Sequence, residues 1–232
     1  MSYREHAPPQ ALAAWLECMW EREGGEPVRV VPDGCIDIVW IERAGTHVVG
    51  ANSTAFVVDL GPGTRVAGAR LRPGAAPALL GISGLELRDG RAAIEDVWDD
   101  DGRRLAWALD NEADRVGTLL AALAARAQAA APPDPLVRAA VARLDERAAP
   151  VSAVARELAV SERQLRRRVE TAVGYGPKRL ARVLRLRRAL EAAHAGTELA
   201  RVAADAGYAD QAHFTHECRA LAGVPPSAVL AA

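Results

Sequence analysis

Two short runs carry the side chains best suited to recognition chemistry. Ser161-Glu-Arg-Gln-Leu-Arg-Arg-Arg-Val169 brings Arg163, Gln164, Arg166, Arg167 and Arg168 close together, and Asp210-Gln-Ala-His-Phe-Thr-His-Glu-Cys218, followed by Arg219, brings Gln211, Ala212, Thr215 and His216. An arginine fork can grip guanine O6 and N7 with two hydrogen bonds, which makes Arg166 and Arg167 the first candidates for base edges. Arg168, three residues from Leu165, is directed toward a phosphate or a neighbouring helix, and Gln164 positions its helix. Bond-making chemistry has weaker support. His213 and His216 stand at i, i+3, but a zinc site wants three or four converging ligands. Cys35 is the one candidate nucleophile. No Lys or Arg falls within five residues of it, and Asp33 and Asp37 would raise its pKa, so a buried and inert thiol is expected. A Pro32-Asp-Gly34 turn explains Asp33 without pairing it to Asp37 for acid–base work. There is no phosphate loop, GxSxG elbow or HExxH helix. The expectation is a protein without metal, cofactor or enzymatic activity.

The elements that must present these side chains are two copies of one helix-turn-helix between 152 and 222. The first runs Ser152-Ala-Val-Ala-Arg-Glu-Leu158, turns at Ala159-Val160 and restarts at Ser161. The second runs Glu198-Leu-Ala-Arg-Val-Ala-Ala-Asp-Ala206, turns at Gly207-Tyr208 and restarts at Asp210. Leu165 with Val169, and Phe214 with Cys218, are i, i+4 apolar pairs that face inward. The opposite face is left for a major groove, where a helix fits and base edges differ. Between the copies, Lys178 to His194 reads as one helix ended by Gly196, with Leu180, Val183, Leu184, Leu186 and Leu190 apolar and Arg182, Arg185, Arg187 and Arg188 polar. Such a helix spans about 25 Å, a strut able to hold two recognition helices roughly one DNA turn (~34 Å) apart.

A net charge of −1 conceals a strong asymmetry. Residues 132–232 hold 16 Lys and Arg against 11 Asp and Glu, while residues 1–131 hold 13 against 19. Within 161–190 there are 10 basic residues opposed only by Glu162 and Glu170, the footprint of a phosphate-binding surface. Half the residues are apolar and a quarter charged, an ordinary globular composition. No apolar run reaches the ~18 residues of a membrane span, and the first residues lack the apolar core of a signal peptide, so a cytoplasmic location is expected. Cys18, Cys35 and Cys218 are too few and too scattered for a disulfide framework.

Ala130-Ala-Pro-Pro-Asp-Pro135 cannot continue a helix and divides the chain into domains 1–131 and 132–232. The first hundred residues read as strands: Val28–Val31, Ile36–Ile41, Thr46–Val49, Ala55–Leu60 and Arg65–Leu71. A short helix follows in 72–80, another lies between Asp99 and Leu109, and Ala113 to Gln128 has helical spacing. That last helix caps the first domain or pairs two chains. The fold class is therefore α+β: a small N-terminal β-barrel or sandwich with added helices, then an all-α double helix-turn-helix domain. All five tryptophans lie in the first domain, where they fill a core; Trp20 and Trp40, with Cys35, are its candidate ligand-binding residues.

Taken together, Ser161-x-x-x-Leu165-x-x-x-Val169, Gly174-x-x-Pro177, Arg185-Leu-Arg-Arg-Ala-Leu190, Ala203-x-x-Ala206-Gly-Tyr-x-Asp-Gln-Ala-His-Phe-Thr215 and Gly223-Val-Pro-Pro-Ser227 form a pattern. It resembles the DNA-binding domain of the AraC/XylS transcription regulators, over about 136–230. Val31-Pro-Asp-Gly-Cys-Ile-Asp-Ile-Val-Trp40 and Arg70-Leu-Arg-Pro-Gly-Ala-Ala-Pro-Ala-Leu-Leu-Gly81 resemble the sensor-like domain that precedes this module in some bacterial members. The resemblance implies base contacts from Arg163, Arg166 and Arg167 in one groove and from Gln211, Ala212, Thr215 and His216 in the next. His216 stands where the family commonly has a basic residue, and Cys218 where it has a large aromatic. The second helix is thus expected to read fewer bases or to pack less firmly. The partners implied are double-stranded promoter or operator DNA, RNA polymerase, a small-molecule effector, and a second copy through 113–128. With six to eight phosphates engaged through the arginine face and the strut, log affinity should fall against log salt with a slope of about −5 to −7. Competing readings are a DNA-targeted enzyme, or a thiol-based repair or sensor protein, using Cys35, and a first domain that only docks another protein.

Overall fold

The computed structural model describes residues 3–146 and 149–231. The N-terminal part forms β1 (Tyr3–His6), β2 (Leu16–Glu23), β3 (Val28–Val30), β4 (Ile36–Ile41), β5 (Gly45–Val49), β6 (Phe56–Val58) and β7 (Arg65–Leu71). After these come α1 (Ala76–Leu80), α2 (Gly84–Leu87), β8 (Arg91–Ala93), α3 (Ile94–Asn111) and α4 (Arg115–Ala129). The expected α+β class is what forms. Six strands pair antiparallel in the order β1-β2-β7-β4-β5-β8, and β3 and β6 make a separate two-stranded ribbon.

Strand alternation gives the sheet two unlike faces. Met19, Ile38, Trp40, Ala67 and Ala69 turn toward α3 and α4 and join the main core. Trp40 closes that side by donating its indole N–H to Asp110 Oδ1 at 2.8 Å. Cys18, Trp20, Val39 and Val66 form a small cluster on the other face. Trp20 lies flat over Gly68, its cross-strand partner, where no Cβ would fit. α3 breaks at Asp99, whose backbone is left-handed (φ 50°), and α4 lays Leu119 and Leu123 against the sheet and α1.

Residues 130–134 lead without regular structure into α5 (Pro135–Glu146), α6 (Val151–Glu157), α7 (Glu162–Val173), α8 (Pro177–His194), α9 (Leu199–Asp205), α10 (Gln211–Ala222) and α11 (Pro226–Leu230). α8 is the central member and packs on α5, α7, α9, α10 and α11. Its Leu180, Val183, Leu184 and Leu186 are completely buried. One continuous apolar core runs from Leu12 to Ala222 through both parts of the chain. They meet closely at Gly84, where a Cβ would come within 2.7 Å of Gly174 N and 2.8 Å of Ala172 O. Among the described residues no helix is long and apolar enough to cross a membrane.

Candidate nucleic-acid interface

The two helix-turn-helix units are built by the same local devices. Val160 N–H bonds Ala155 O at 3.0 Å in the first turn, and Tyr208 N–H bonds Ala203 O at 2.8 Å in the second. Both accepting residues are buried alanines, small enough to let the two helices cross closely. The turns also need a left-handed residue at the same point, supplied by Gly207 (φ 79°) and, at some strain for a side chain, by Ala159 (φ 54°). Each second helix starts on a side-chain cap. Ser161 accepts from Gln164 N–H while Gln164 reaches back to Ser161, and Asp210 accepts from His213 N–H at 2.7 Å. The side-chain oxygen of Gln164 is thus engaged in holding the helix start.

Leu165, Val169, Phe214 and Cys218 are fully buried, so the face opposite them is the outer one. Cys218, smaller than the residue expected there, is completely buried. Arg163, Arg166, Arg167 and Arg168 are exposed on α7; Gln211, Ala212, His216 and Arg219 are exposed on α10, and Thr215 is half-buried. Their environments differ. Arg166 is paired with Glu170 at 2.8 Å, and Arg168 with Asp134 at 3.3 Å. Arg163 and Arg167, one turn apart, form no ion pair among the described residues, which moves the emphasis from Arg166 to Arg163 beside Arg167.

The strut differs from expectation more sharply. Arg182 and Arg185 converge on Glu217 at 3.0 and 2.9 Å, and Arg187 and Arg188 converge on Asp145 at 3.0 and 2.6 Å. These four arginines bind α8 to α10 and α5 instead of forming a free phosphate face. Glu217 is only 5% exposed. Burial alone would raise its pKa, but hydrogen bonds from Arg182 and Arg185 outweigh that and hold the carboxyl below its ordinary value. Arg185 also stacks on Tyr208 at 4.3 Å, tying the second turn to the strut. Glu217 and Asp145 were not among the residues singled out in the sequence.

His213 accepts from Ala209 N–H and meets the Tyr208 ring edge-on, so it supports the turn. Among the described residues no three metal-ligating side chains converge. Trp20, Cys35 and Trp40 are not brought together. Trp20 and Trp40 point to opposite faces of the sheet, and Cys35 lies before β4, where its N–H bonds Asp33 Oδ1. Arg70 stands between Asp33 and Asp37, 3.4 Å from each carboxylate. Burial, with these carboxylates beside it, pushes the Cys35 thiol well above its usual range, and burial raises Cys18 to about 12 and Cys218 to about 11. The native protein should therefore resist iodoacetamide at neutral pH at all three thiols and react fully only when unfolded; mass spectrometry showing Cys35 alkylated ahead of Cys18 would contradict this.

The N-terminal part reaches both recognition helices at their C-terminal ends. Ala55 N–H donates to Leu221 O at 2.8 Å and Arg29 Nη1 to Ala222 O at 3.2 Å, supplying partners to carbonyls that a helix end leaves unpaired. Arg179 of α8 donates to Ser53 O. At the end of α7, Gly84 seats α2 directly on the Ala172–Gly174 backbone.

Comparison with known proteins agrees with this architecture. Residues 154–232 match the family model of a helix-turn-helix domain, and residues 4–93 match a domain of unknown function (DUF6597). No curated protein sequence matches the chain. An apo ToxT variant from Vibrio cholerae strain SCE256 is 11% identical, over 92% of this chain and 96% of that one, with a TM-score of 0.54. ToxT from Vibrio cholerae O395 bound to (E)-4-(8-methylnaphthalen-1-yl)but-3-enoic acid is 11% identical, over 99% and 98%, with a TM-score of 0.51. The C-terminal domain of AraT, a response regulator from Geobacillus stearothermophilus, is 23% identical over 42% of this chain and 85% of that one, with a TM-score of 0.40. Residues 154–232 thus carry a helix-turn-helix domain, and the chain as a whole shares its fold with ToxT.

Proposed function

We propose that the chain is a one-component regulator. Residues 132–232 bind a promoter or operator sequence in the cytoplasm, and residues 1–131 respond to a small-molecule effector. The observation that carries this reading is the pair of capped helices α7 and α10, each buried on one side and presenting Arg163 and Arg167, or Gln211 and His216, on the other. Arg167 and Arg163 read base edges in one groove. Gln211, Ala212, Thr215 and His216 line the second, with Arg219 near the backbone. A ToxT structure with a bound organic acid supports an effector role for the N-terminal part.

Affinity rests on fewer phosphates than the count of basic residues suggests, because Arg182, Arg185, Arg187 and Arg188 already have carboxylate partners. With four or five phosphates engaged, the slope of log affinity against log salt should be about −4. Enrichment of random duplexes on the purified protein supplies the operator. On that operator Arg167→Ala should weaken binding by about 1–3 kcal/mol and relax discrimination at one base pair. Equal affinity of variant and wild type would remove Arg167 from the interface, and failure to enrich any sequence would overturn the regulator reading.

A further inference from the structure

The geometry points to a binding site for a small amphipathic carboxylate in the groove between α1, α3 and α4. The groove encloses about 670 Å³, within the ~300–1,000 Å³ usual for sites that take small organic ligands. Its walls are apolar: Leu79 of α1, Leu105 of α3, and Ala122 and Ala125 of α4, whose short side chains leave the space between the two long helices open. Charge is confined to one end, where Arg104, Asp101 and Arg126 line the mouth. Asp101 serves both guanidiniums, Arg126 at 3.2 Å and Arg104 as its i, i+3 neighbour. Within the groove lining two cations thus share one carboxylate, while Asp99 and Asp100 stand outside it beside Arg126.

Arg126 is held in place for this task. Its guanidinium lies 4.3 Å over the Trp98 ring, and its Nε donates to Leu79 O at 3.3 Å. Trp98 lines the same groove and is 95% buried, and its indole N–H has no partner among the described residues. The left-handed residue Asp99 (φ 50°) falls at this charged end, between Trp98 and Asp101. Asp101 is more than half exposed, so its pairs are of the weak surface kind, and an entering carboxylate can take its place on Arg126. The ligand's apolar body would then lie along Leu105 and the alanines. Replacing the alcohol analogue by the acid adds a charge-assisted, bidentate contact, which is the basis of selectivity.

This site adds to the regulator reading and is tested without DNA, so that either can fail alone. The full chain is titrated calorimetrically with 4-phenylbutyrate, 6-phenylhexanoate and 8-phenyloctanoate, and with 6-phenylhexanol as the uncharged counterpart. At least one acid should bind at one site per chain, with the alcohol at least about tenfold weaker. Arg126→Gln should weaken the acid about tenfold and leave the alcohol within about twofold. Ala125→Phe, at an exposed position on α4, should fill the groove and abolish binding at an unchanged melting temperature. The proposal is overturned if no acid binds up to about 5 mM, if acid and alcohol bind equally, or if neither substitution matters. It is equally overturned if sedimentation shows a dimer that Ala125→Phe dissociates while no acid binds, because the groove then belongs to a second copy of the chain.

Discussion

Glu217→Ala should lower the melting temperature by about 6–12 °C and weaken operator binding more than removal of any single base-contacting side chain. The carboxylate is the sole ionic partner of Arg182 and Arg185 among the described residues, and it reaches them from inside α10. Its loss leaves Arg185, whose side chain is four-fifths buried, without an anion. Breaking a buried pair costs about 3–5 kcal/mol; the lower end applies here, because Arg182 is substantially hydrated. At about 2–4 °C per kcal/mol for a chain of this size, that gives the stated shift. Glu217→Gln keeps an acceptor and should lose about half as much. The pH dependence carries the same signature. The folded pKa of Glu217 is depressed, so its contribution is complete above the unfolded value of about 4.3 and disappears as pH falls through the folded value. Thermal melts from pH 7 to pH 3 should converge for wild type and Glu217→Gln at the acid end. Parallel curves would mean that the Arg182–Glu217–Arg185 cluster contributes nothing.

Gly84→Val should push α2 away from the end of α7, where the backbones of the two parts meet. A Cβ at this position meets backbone on three sides, Gly174 N, Ala172 O and Val173 C at 2.7–2.8 Å, so no side-chain rotation can make room. Overpacking of this kind costs about 1–3 kcal/mol when the surroundings yield. Here the surroundings are the last turn of α7, and yielding means displacing the recognition helix. Amide exchange in Ala172–Gly174 should quicken and operator affinity should fall, with α10 protected as before. Exchange unchanged at both helix ends would show that α2 does not set the position of α7. Gly84→Ala should give the same result at smaller amplitude.

The helix-turn-helix elements were readable in the residues because local physics specifies them. Leu165 with Val169 and Phe214 with Cys218 lie at helical spacing, Ser161 and Asp210 are caps, and Gly174, Gly196 and Gly223 end their helices with left-handed residues or turns. β4 and β7 were legible as β-branched or alternating runs. β2 was not, because a bulge between Leu16 and Cys18 breaks the alternation and brings Met19 to the helix-covered face. The positions of Trp20 and Trp40 depend on register: their partners on β7 are the adjacent residues Gly68 and Ala67, which sends the two indoles to opposite sides. The basic stripe was overread for a related reason. Arg182 finds Glu217 at a separation of 35 residues and Arg187 finds Asp145 at 42, so a local window counts the cations and misses their partners.

The hydrogen bonds from Ala55 and Arg29 to the final carbonyls of α10 make the β3–β6 ribbon a prosthetic terminus for a reading head that it does not otherwise resemble. A severed C-terminal half would have to finish that helix with water, and its last turn would fray. The same two bonds, one from backbone and one from the Arg29 guanidinium, couple the ribbon directly to the end of α10.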